Sequence, residues 1–283
     1  MVRTDGFPRA GMLVTDSVTL LDGRAAGAVV VAGSHSGVYP ARLVAVLGAR
    51  AVAFNDAGVG KDRAGIAGLE YLDGLGLPAV AVGHETARIG DGHDGLARGM
   101  VRHVNRVARG LGCSPGMTCR TAVRLLSEAP PRRWPAPLRP EGRRRLLGGV
   151  PEVWALDSVS LAGAEDAGRV LVTGSHGGLL GGRAENALKV DAAVVLFNDA
   201  GVGIDRAGLA RLPVLDGRGI PAATVAAGSA RIGDGRSTYA DGIVSAVNQT
   251  ASGLGARPGM PARTLVDRLI AAAGGHGGQG GRA

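Results

Sequence analysis

The chain is poor in the residues that usually fill a core: 3% of its 283 residues are aromatic, and only two are cysteine. Its interior must therefore be built from Val, Leu, Ile and Ala, which suit strands covered on both faces. Cys113 and Cys119 face Ala256 and Ala262 at the matching places of the second half of the chain. A disulfide or a shared metal clip is not expected, and a reducing compartment is. No apolar run approaches the length of a bilayer, and the opening residues lack the basic-then-apolar pattern of a secretion signal, so a cytoplasmic protein is expected. Acidic residues are in deficit, and the formal charge is +8. Much of that excess lies between Pro130 and Arg145, where Arg132, Arg133, Arg139, Arg143, Arg144 and Arg145 meet only Glu141. This reads as a basic linker rather than a basic fold. With few aromatics for base stacking, nucleic acid is not the expected partner, and neither is a membrane.

Glycine, by contrast, is abundant at 49 residues, and it marks a repeat. The block from Phe54 to Gly65 returns from Phe197 to Gly208 with a single change, Lys61 to Ile204. Arg88 to Gly92 falls on Arg231 to Gly235, and Asn105 on Asn248; upstream, Gly33-Ser34-His35 matches Gly174-Ser175-His176. The second half carries two more residues between His176 and Asn198 than the first has between His35 and Asn55. A repeat of this kind implies two similar folding units. The expected division is residues 11–127, a Pro/Arg-rich linker at 128–149, a second unit at 150–272 and a disordered Gly-rich tail at 273–283. Residues 1–10 read as a loose leader.

Within the first unit, Ser17 to Leu21 reads as a short strand, and Ala28–Ala32, Ala51–Phe54 and Ala79–Val82 as buried ones. Helices are expected over Ala41–Leu47, about Arg63–Leu75, about Gly95–Leu111 as the longest, and Cys119–Leu126. Strands alternating with helices imply parallel pairing and helices on both faces. The expected fold is α/β: two tandemly duplicated three-layer units with mainly parallel sheets, related by a pseudo-twofold. The repeat could internalise a dimer contact, and a homo-oligomer stays open.

Three polar loops per unit follow apolar strands: Ser34-His35, Asn55-Asp56 and Arg88 to Asp91, with Ser175-His176, Asn198-Asp199 and Arg231 to Asp234 as counterparts. In open parallel sheets such loops converge at the carboxyl ends of the strands, near a switch point in strand order. His35 and His176 are the candidate proton carriers, with Asp56 and Asp199 to orient them or activate water. The plainer alternative is that these side chains hold tight loops. Arg88 and Arg231 could grip a carboxylate, supported by Ser34, Asn55, Ser175 and Asn198, or form structural ion pairs. Glycine amides of the repeated block resemble an anion cradle, without the spacing of a phosphate loop or dinucleotide fingerprint. No cofactor is called for; a divalent metal near His35, Asp56 and His84 stays open in the first unit only, because Ala227 and Gly228 replace His84 and Glu85 in the second. His93 and His103 also lack counterparts and read as surface residues. The Ser-His-Gly-Gly strand end, followed by one ending Asp-Ala, resembles the His and Cys strands of caspase-like cysteine peptidases; Gly58 and Gly201 stand where the nucleophilic Cys belongs, so no activity is carried over.

The expectation is a small-molecule enzyme acting on a carboxylate-bearing or other anionic substrate by amide or ester hydrolysis. An isomerase or lyase would need the same parts. The rival is a non-catalytic protein that binds a small anionic metabolite.

Overall fold

The structure, a computed structural model, describes residues 11–131 and 140–275. The leader, residues 132–139 of the Pro/Arg-rich segment and the tail beyond residue 275 lie outside the described residues. The chain forms an α/β fold with two mixed, mostly parallel sheets. The first has the order β1 (Met12–Thr15), β2 (Val29–His35), β3 (Ala51–Asn55), β4 (Ala79–Val82) and β5 (Val101–Val104). Its first four strands are parallel, and β5 runs antiparallel to β4. The second sheet contains β6 (Arg143–Leu147), β7 (Val153–Leu156), β8 (Val170–His176), β9 (Val194–Asn198), β10 (Ala222–Val225) and β11 (Val244–Val247). Here β7 to β10 are parallel, with antiparallel β6 and β11 at the edges.

The apolar runs alternate between two packed faces, as period-two side chains must. In the first sheet Val30, Val52, Phe54 and Ala81 join Val44 and Leu72 from helices Val38–Val46 and Ala67–Leu75. Val29, Val31, Ala53 and Val80 instead meet Cys119, Ala122, Val123 and Leu126. Those four residues form one face of helix Cys119–Leu126, which Thr118 caps by accepting from the Thr121 amide. Both cysteines are therefore core residues, buried and free.

Some elements differ from the sequence expectation. The predicted long helix at 95–111 divides into helix Gly92–Arg98, β5 and helix Arg106–Gly110. Gly99 takes an extended C-cap conformation, after which the 101–104 segment pairs with β4. Buried Asn105 then caps the next helix through the Ala108 amide and also accepts from Ala79. Its tertiary bonds outweigh the helical spacing of the apolar residues around it. Ser17 begins a 3-10 turn at Val18–Leu20 rather than a strand, because its hydroxyl accepts from the Thr19 amide; the strand lies earlier, at β1. In the second half, 3-10 turns at Leu180–Gly182 and Ala184–Asn186 replace the helix that follows β2. Residues 143–147, assigned to the linker, form β6, and helix Ala262–Gly275 extends past the boundary assigned at residue 272.

Strand order increases monotonically across each sheet, so neither contains the switch-point crevice expected from the sequence. The loops after the strands meet across the two halves instead. The Lys61 amide donates to Ala227 O at 2.8 Å, and the Ile204 amide to His84 O at 2.8 Å. Ala57, Ile89, Ala200, Ala207 and Ile232 form a small buried core between them. Arg88 pairs with Asp205 and Arg231 with Asp62, both at 2.8 Å. No helix among the described residues is long and apolar enough to cross a membrane.

Candidate acid–base site

The repeated block leaves β3 through a run of positive φ: Ala57 at 49°, Gly58 at 70°, Val59 at 62° and Gly60 at 70°. A β-branched residue there is strained, so the turn must be fixed by its surroundings. Asn55 accepts from the Ala57 amide and donates to Ala87 O; Asp56 Oδ1 accepts from the Gly58 amide. The amides of Val59, Gly60 and Lys61 are spent on backbone carbonyls. The glycine-rich turn consequently has no run of free amides with which to cradle an anion.

Asp56 lies directly after β3, and its amide extends the ladder by bonding Val82 O at the end of β4. This brings the carboxylate beside the loop that follows β4. Asp56 Oδ1 accepts from the His84 amide at 2.9 Å and lies 2.8 Å from His84 Nδ1. Asp56 Oδ2 is 3.7 Å from Nε2 of His103, a residue whose position on β5 pairs with Ala81. Glu85 approaches His84 Nδ1 at 3.6 Å from the exposed side. Burial opposes the charge on Asp56, but the His84 ring and the two amides outweigh it and hold the carboxyl below its usual range. The same hydrogen bond raises His84 above an ordinary imidazole, against the opposing effect of burial. His103 is lowered, first by burial.

Donation from Nδ1 to Asp56 leaves the Nε2 lone pair of neutral His84 available as a proton acceptor. No hydrogen bond among the described residues occupies Nε2, and the side chain is 19% exposed. Gly201 gives the ring room, since a Cβ there would lie 2.8 Å from His84 Cδ2. Ligand atoms of Asp56, His84 and Glu85 lie within 4.8 Å of one another, so this trio, without His35, could hold a divalent cation. His103 also lines a cleft of about 430 Å³ with Arg63, Arg102, Arg106 and Arg109. Arg106 is paired with Asp73, whereas Arg63 and Arg109 have no ion pair among the described residues.

The second half keeps the carboxylate scaffold without the imidazoles. Asp199 Oδ1 accepts from Gly201 and Ala227 amides, while Ala227 and Ala246 replace His84 and His103.

The other candidate residues are placed differently. Ser34 and Ser175 accept from the Val18 and Val159 amides, and Asn198 repeats the loop bonds of Asn55. No ion pair joins His35 to Asp56 or His176 to Asp199 among the described residues. Instead, His35 Nδ1 accepts from Gly37 and His176 Nδ1 from Gly178. Burial lowers His35 to about 4 and puts His176 well below its usual value; Arg211 and His35 also contribute to the latter shift. His35 and Arg231, from different halves, both line a cleft of about 470 Å³, with Tyr39 and Glu141. Burial, then nearby Asp157, raises Glu141 to about 7. Arg231 is committed to Asp62 and Asp234, and Arg88 to Asp205.

In the sequence alone His103 reads as a surface residue and His84 only as a metal candidate. Val101 and Val104 bracket two polar residues, so β5 carries no period-two alternation that would have marked it in the sequence. Comparison with protein-family models, curated proteins and solved structures found no match.

Proposed function

We propose that the chain consists of two copies of one α/β unit related by a pseudo-twofold, and that only the first has kept an acid–base site. The reciprocal Arg88–Asp205 and Arg231–Asp62 pairs support the first statement. The 2.8 Å contact between Asp56 and His84 carries the second, because a base held by a buried carboxylate is a recurrent catalytic arrangement. In this reading the protein hydrolyses an amide or ester bond in a small anionic molecule. Neutral His84 takes a proton at Nε2 as water oxygen bonds to the carbonyl carbon. It returns that proton to the departing amine or alcohol as the bond to the leaving group breaks. Arg63 and Arg102 bind the anionic group in the cleft that His103 lines.

The test is turnover of a panel of amides and esters of small carboxylic and phosphoric acids. His84→Ala is expected to lower kcat by about 100-fold or more, the usual scale for a lost general base. Turnover unchanged in that variant would overturn the assignment. A binding protein for an anionic metabolite is the second reading, favoured by the commitment of Ser34, Asn55, Ser175 and Asn198 to loop bonds. It predicts saturable binding to the arginine cleft with no product formed.

A further inference from the structure

We propose a second site in the other half, in which Arg211 binds an oxyanion of a compact metabolite. Arg211 opens helix Arg211–Asp216 and is 2% exposed. Its Nε donates to Gly178 O at 3.0 Å and its Nη1 to Asn186 O at 2.8 Å and also to Ala187 O. Its guanidinium stacks on Phe197, 5.1 Å from the ring centroid. Among the described residues no carboxylate pairs with it and no hydrogen bond occupies Nη2. Carbonyl dipoles satisfy part of the fork but leave a full positive charge in a desolvated place, a costly arrangement that an anion would relieve.

The surroundings also supply hydrogen-bond donors. Arg211 lines a cavity of about 180 Å³ between the halves, together with His176, Ser17, Ser158 and Lys189. Because His176 Nδ1 accepts from Gly178, its neutral ring carries the proton on Nε2, for which no acceptor is present among the described residues. Ser17 bonds Thr19, and Ser158 bonds Ser160, through their hydroxyls. Each pair spends one hydroxyl hydrogen internally and retains the other to donate. Lys189 is exposed at the rim without an ion pair among the described residues. Glu185, the lining acid, is 70% exposed and faces Arg183 at 3.8 Å. Guanidinium, imidazole N–H, hydroxyls and ammonium form the donor set of a carboxylate or phosphoryl site. The cavity holds roughly six waters' volume, which limits the ligand to an oxyanion with a small remainder.

The buried arginine belongs to this half alone. Gly68 stands where Arg211 does, and a Cβ there would lie 2.3 Å from Gly37 O. It also shares no lining residue with the cleft at His103.

The experiment titrates inorganic phosphate and, separately, acetate into the full chain at constant ionic strength while following the imidazole signals of His176. A saturable shift with at least one anion is expected. Phosphate alone identifies a phosphoryl ligand, acetate alone a carboxylate, and both a general oxyanion site. Arg211→Met should abolish the shift. Because Arg211 also holds loop carbonyls, the exposed rim change Lys189→Glu supplies the second variant, expected to raise Kd at least tenfold in a protein with an unchanged circular dichroism spectrum. No saturable shift with either anion, or a smaller change in Kd for Lys189→Glu, overturns the proposal. His84→Ala should leave the His176 response intact, separating this site from the proposed hydrolytic one.

Discussion

At the scale of single residues, the Asp56–His84 pair sets a window of pH. The raised value of His84 means that its stabilising contribution is complete below the ordinary imidazole pKa of about 6.5 and is lost as pH rises through the higher folded value. Asp56 behaves in the opposite sense: its contribution is present above about 3.9 and is lost as pH falls through the depressed folded value. The proposed base must be neutral, so kcat/KM is expected to rise with pH through an apparent pKa above that of free imidazole. Asp56→Asn should move this limb to lower pH; a limb that stays in place would dissociate the carboxylate from the function. Asp56 was legible in the sequence because an Asn-Asp pair follows an apolar strand in both halves. His84 was less evident because its role depends on adjacent strands bringing residues 56 and 84 together, which spacing along one chain does not express. His35 stands beside a serine and glycines, and the sequence does not express that its Nδ1 accepts from the Gly37 amide.

At the scale of elements, the repeated block supplies both a turn and a junction. A Cβ on Gly58 would lie 2.8 Å from the Gly201 backbone, at a residue whose φ is already positive. Gly58→Ala is therefore expected to cost roughly 2 kcal/mol or more, combining left-handed strain with a backbone clash. Equilibrium urea denaturation measures it, and a loss below about 0.5 kcal/mol, the range of neutral surface changes, would contradict this packing. Strand β6 shows why part of the linker was misread. Its Arg143 binds both oxygens of fully buried Asp166 at 2.7 Å and stacks on Trp154, while Arg169 covers the same ring. An arginine run looks solvated until the partner strand supplies an indole and the 3-10 turn Ala164–Asp166 a carboxylate. Asp166→Ala should destabilise by about 3–5 kcal/mol, the scale for breaking a buried pair from one side. A thermal shift as small as that of an exposed Asp→Ala control would refute this role.

At the scale of the molecule, the parallel strands were legible because each is a short apolar run ended by glycine or a polar turn. Their monotonic order was not, because local sequence does not say which strand pairs with which. The site consequently lies beside a junction between two sheets rather than in a crevice within one. Two imidazoles, His35 and His176, are held neutral near that junction. Unfolding lets them protonate, so their contribution to stability is complete above about 6.5 and declines as pH falls, for His35 down to about 4. Thermal unfolding should show a lower Tm at pH 5 than at pH 7.5, and the difference should shrink in His35→Gln. A difference unchanged by that substitution would contradict the assignment to His35. The central claim is an acid–base pair present in one half alone, and the most direct measurement is an NMR titration of His84 in the native chain and in Asp56→Asn. The account predicts an imidazole that titrates above about 6.5 in the native chain and falls when the carboxylate is removed. A His84 that titrates at or below that value, unmoved by Asp56→Asn, would contradict it.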